Sequence, residues 1–106
     1  MLRLLCIAEE HEIKIIILYH PHLEILESGN LYFQTDEHTK AEWKDFCDQQ
    51  GIIFVDMTDR FREEYYKSYI LPYGFSNTPV GEGHSNRYGH RMIAEELAEA
   101  IEREEQ

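Results

Sequence analysis

Two short runs along this chain are apolar at almost every position. Lys14-Ile15-Ile16-Ile17-Leu18-Tyr19 is rich in β-branched residues, which suits a strand covered on both faces, as in a parallel sheet. Ile52-Ile53-Phe54-Val55 repeats the pattern. Elsewhere the apolar positions recur at helical spacing. Leu2, Leu5, Cys6 and Ile7 predict a helix over 2–10 with those residues inward. Trp43, Phe46 and Cys47 mark one face of a helix opened by Thr35 or Asp36 as N-cap and stopped by Gly51. A third helix is expected from about Asp59 to Tyr69, packing through Phe61, Tyr65 and Tyr66 or Tyr69. A loop from Leu71 to Asn86 leads to a fourth, packing through Met92, Ile93, Leu97 and Ile101.

Pro21 ends the first strand, because proline cannot continue a central ladder. Residues 23 to 36 read as an irregular excursion with a hairpin around Ser28-Gly29-Asn30. Within it, Asn30-Leu31-Tyr32-Phe33-Gln34 resembles a viral-protease cleavage tag, but Gly29 stands where that tag has glutamate. A native loop or edge strand is the simpler reading. The order helix, strand, helix, strand, helix, loop, helix is that of an α/β domain with parallel strands. Two strands leave both sheet edges open, so a missing N-terminal half or association into a homo-oligomer is expected.

Composition narrows the partners. The chain has 21 acidic against 10 basic residues, a formal net charge of -11. Such a surface repels phosphate backbones and anionic lipid, so neither nucleic acid nor a membrane is expected as partner. The glutamates crowding the C-terminal helix are most simply a solvated face. The opening Met1–Ala8 run meets Glu9-Glu10-His11-Glu12 too soon for a signal peptide. No localisation is read from the chain, beyond the cytoplasm if Met1 is the native start. Cys6 and Cys47 have no CxxC spacing and are expected as buried thiols.

The chemistry concentrates in Gly81-Glu82-Gly83-His84-Ser85-Asn86-Arg87-Tyr88-Gly89-His90. A histidine in a glycine-rich loop just ahead of an amphipathic helix is well placed to present its imidazole. His20 and His22 follow the first strand, and with His84 and His90 they are a rival metal cluster. Zinc wants about three or four converging ligands, and the spacing requires no such convergence. No metal or cofactor is expected. Asp56, after the second strand, is most simply a helix cap helped by Asp59 in a loose capping box. Its place at a strand's carboxyl end also makes it a candidate for an acid network. His20, Tyr73 and Asn77, with Phe75 and Thr78, are candidate pocket residues; ordinary loop packing is the alternative.

The buried strand ending at a proline, Ile52-Ile53-Phe54-Val55-Asp56 and the run Gly83-His84-Ser85-Asn86-Arg87-Tyr88-Gly89-His90-Arg91-Met92-Ile93-Ala94-Glu95 together resemble the C-terminal half of an SGNH (GDSL-type) hydrolase, over residues 14 to 101. The resemblance implies a flavodoxin-like three-layer α/β/α sandwich, present here in part, as a single domain over 1–106 with its N-terminal half missing. It implies ester hydrolysis of a small-molecule substrate, of the carboxylesterase or acetylesterase kind. His84 would be the catalytic base, with Glu82, Asp56 and Asn86 as candidate supporting residues. The family's acid often lies three residues before the histidine, where this chain has Gly81; Glu82 fits a shorter spacing. The family's Gly-Asp-Ser nucleophile motif, its oxyanion-hole glycine and its Gly-x-Asn-Asp segment have no counterpart. The chain alone is therefore expected to be inactive. The alternative expectation is a non-catalytic α/β module or truncated remnant that acts only through oligomerisation.

Overall fold

A computed structural model describes residues 2–34, 36–74 and 84–105. Its elements are α1 (Leu2–Glu10), β1 (Ile16–Tyr19), β2 (His22–Ile25), β3 (Leu31–Gln34), α2 (Glu37–Gln50), β4 (Ile53–Asp56), α3 (Thr58–Ser68) and α4 (Arg87–Glu105). β1 and β4 pair in parallel, with Ile16 opposite Ile53 and Tyr19 opposite Asp56. The chain is thus α/β with a small parallel sheet. The excursion after Pro21 is an antiparallel hairpin, β2 with β3, turning at Gly29, whose φ of 87° suits glycine. The tag-like run supplies strand β3 of that hairpin.

Strand alternation sets the two faces. Ile16 and Leu18 of β1 and Ile53 and Val55 of β4 join a core built by Leu23, Met57, Phe61, Tyr73, Met92 and Ala100. On the opposite face, Tyr19 lies beneath the Lys40 ammonium. Asp56, on the same side, pairs with Lys40. Helices α3 and α4 therefore cover one face and α2 the other.

α2 forms as its termini dictate. Asp36 accepts from the Thr39 amide at 3.1 Å, and Gly51 closes the helix in the left-handed region at φ 71°. Thr35, the alternative cap, lies outside the described residues. Several expected inward positions turn out otherwise. In α1, Ala8 is buried while Cys6 and Ile7 are exposed. Trp43 sits at the rim of α2, edge-on to Phe46. Tyr66 and Tyr69 are exposed, and Tyr69 turns left-handed at φ 58° just past the end of α3. In α4, the small Ala100 is buried in place of Ile101. β1 is only half-buried along its length. Among the described residues it has one sheet neighbour, β4, and that leaves its other edge open. No helix among the described residues is long and apolar enough to cross a membrane.

Candidate functional site

The carboxyl ends of β1 and β4 face the loops where ligands gather in parallel sheets. His20 follows β1, Asp56 ends β4, and the Met57 amide donates to the Tyr19 carbonyl at 2.9 Å, tying the two exits together. The segments 71–74 and 84–86 close over this end. Tyr73 and Ser85 pair as an antiparallel bridge, and the Gly74 amide donates to the His84 carbonyl at 3.1 Å.

Asn86 holds that junction together. Its Oδ1 accepts from the amides of Tyr88 and Gly89, both at 3.0 Å, capping the first turn of α4. Its Nδ2 donates to the carbonyls of Leu71 at 2.9 Å and Gly74 at 3.1 Å. Its own amide donates to the Pro72 carbonyl at 2.8 Å. One side chain thus starts the helix and fixes the preceding loop against it. Gly89 is buried where a Cβ would overlap the Pro72 carbonyl oxygen and Ser85 Oγ. Only glycine lets the helix approach that carbonyl. Asn86 and Gly89, read in the sequence as part of a chemical signature, are the frame of the His84 loop.

On that frame His84 is exposed, and its imidazole has no side-chain bond to another described residue. Glu82, Asn77, Phe75 and Thr78 lie outside the described residues. Ser85, beside His84, has its Oγ buried without a hydrogen-bond partner among the described residues. It cannot reach a substrate as a nucleophile. Cys47 is fully buried, and burial pushes its thiol further from ionisation. Cys6 is exposed on α1 rather than buried.

Asp56 is committed twice. Oδ1 accepts from the Thr58 amide at 3.0 Å and from the Thr58 hydroxyl at 2.7 Å, while Oδ2 pairs with the Lys40 ammonium at 3.0 Å. Burial works against its ionisation, but the bonds from Thr58 and Lys40 outweigh it and hold the carboxyl below its ordinary range. The N-cap position of α3 is Met57, with no side-chain cap, rather than Asp56. Asp56, one residue earlier, accepts from the Thr58 amide, and the Asp59 carboxylate pairs with Arg62 instead of completing a capping box.

His20 has a partner that the sequence did not reveal. Its Nδ1 lies 3.1 Å from the Tyr73 hydroxyl, which in turn donates to the Pro21 carbonyl at 2.8 Å. Tyr73 is 7% exposed and packs edge-on against Phe61. Burial raises its phenol far above the ordinary range, so the hydroxyl keeps its proton. His22 and His90 are exposed. Among the described residues no three histidine, cysteine or carboxylate side chains converge as a metal site, so the rival four-histidine cluster does not assemble there.

No protein-family model, curated protein or solved structure matches the chain.

Proposed function

We propose that this chain is the C-terminal portion of an SGNH-like ester hydrolase, part of a flavodoxin-like sandwich, with His84 as its general base. The observation that carries the reading is the Asn86 junction, which holds an exposed histidine at the carboxyl end of a parallel sheet. Such a histidine can take the proton of a serine hydroxyl as that oxygen attacks an ester carbonyl. It then returns the proton to the departing alcohol. The serine comes from a preceding segment or a second chain, placed beyond the open edge of β1. Glu82 is the candidate acid for the imidazole, Asn86 fixes the loop, and Asp56 supports the sheet end through Lys40 and Thr58.

A non-catalytic α/β module is the second reading, favoured by the buried Ser85 Oγ and the exposed apolar residues of α1. Labelling with a fluorophosphonate separates the two. The chain by itself is expected to take no label, and the chain extended by the sequence encoded directly upstream is expected to be labelled on a serine of that extension. Absence of label from the extended protein would favour the module. A stable monomer by light scattering would count against the homo-oligomer that the open sheet edges imply.

A further inference from the structure

We draw no further inference here: the strongest candidate, the open groove at the amino end of the parallel sheet between α1, β4 and the end of α4, carries none, because nothing among the described residues shows what covers it.

Discussion

The two ends of the parallel sheet are built to different standards. At the carboxyl end, one asparagine side chain satisfies two helix amides and two loop carbonyls, a glycine admits a carbonyl, and a buried tyrosine anchors a histidine. At the amino end, α1 leaves Leu4 50% and Ile7 45% exposed. Beyond it an open groove of about 380 Å³ is lined by Leu5, Ala8, Ile13 and Ile15 together with Glu9, Lys14, Gln50 and Glu104. The first end is over-determined, as a place that must hold groups in register has to be. The second leaves apolar side chains of α1 facing solvent. A tightly bonded end and a loosely covered one therefore sit at opposite ends of the same four-residue strands.

The sharpest way to break this contrast is at Gly89. Gly89→Ala places a methyl against the Pro72 carbonyl and Ser85 Oγ, and backbone cannot yield cheaply. A loss of about 3 kcal/mol in urea unfolding is expected. A loss below about 1 kcal/mol would mean the junction is looser than described. Asn86→Ala comes next. It removes the α4 cap and orphans the Leu71 and Gly74 carbonyls, at about 2 kcal/mol. Amides of the first turn of α4 should lose hydrogen-exchange protection in step.

Asp56 gives a smaller effect with a defined sign. Its carboxyl is held below its ordinary range when folded, so its stabilisation is present above the unfolded value, about 3.9. That stabilisation fades as pH falls through the folded value. Asp56→Asn should therefore cost at most about 1 kcal/mol at pH 7. The gap from wild type in urea midpoint should close below about pH 4. A gap that widens on acidification would reverse the assignment. At the far end Ile7→Ser should change the unfolding free energy of the chain by no more than about 0.5 kcal/mol. A larger loss would show that α1 is packed after all.

Local signals in the sequence located most of the elements, and long-range ones were beyond it. The β-branched runs gave both strands, and Asp36 with Gly51 gave both ends of α2, because caps and periodicity act over a few residues. The hairpin was legible at Gly29. Which face of α1 is inward was not, since a helix with Leu2, Leu4, Leu5 and Ile7 has no clear polar side and packing decides. Cys6 was misplaced for that reason. Ala100 was missed because a small residue carries little hydrophobic signal, yet it is what lets α4 approach the core. In the His-x-Asn-x-x-Gly run the parts have unequal structural roles. Asn86 and Gly89 build the loop, and His84 is what the loop carries. The His20–Tyr73 pair joins residues 53 apart in sequence, and no local pattern could announce it.

The most direct test is hydrolysis of p-nitrophenyl acetate by the chain alone and by the chain expressed in frame with the sequence encoded directly upstream. The chain alone should show no serine-dependent turnover. The extended protein should turn over, and His84→Ala should lower its kcat by about 100-fold or more. Robust serine-dependent turnover by the chain alone, or an extended enzyme indifferent to His84→Ala, would contradict the account.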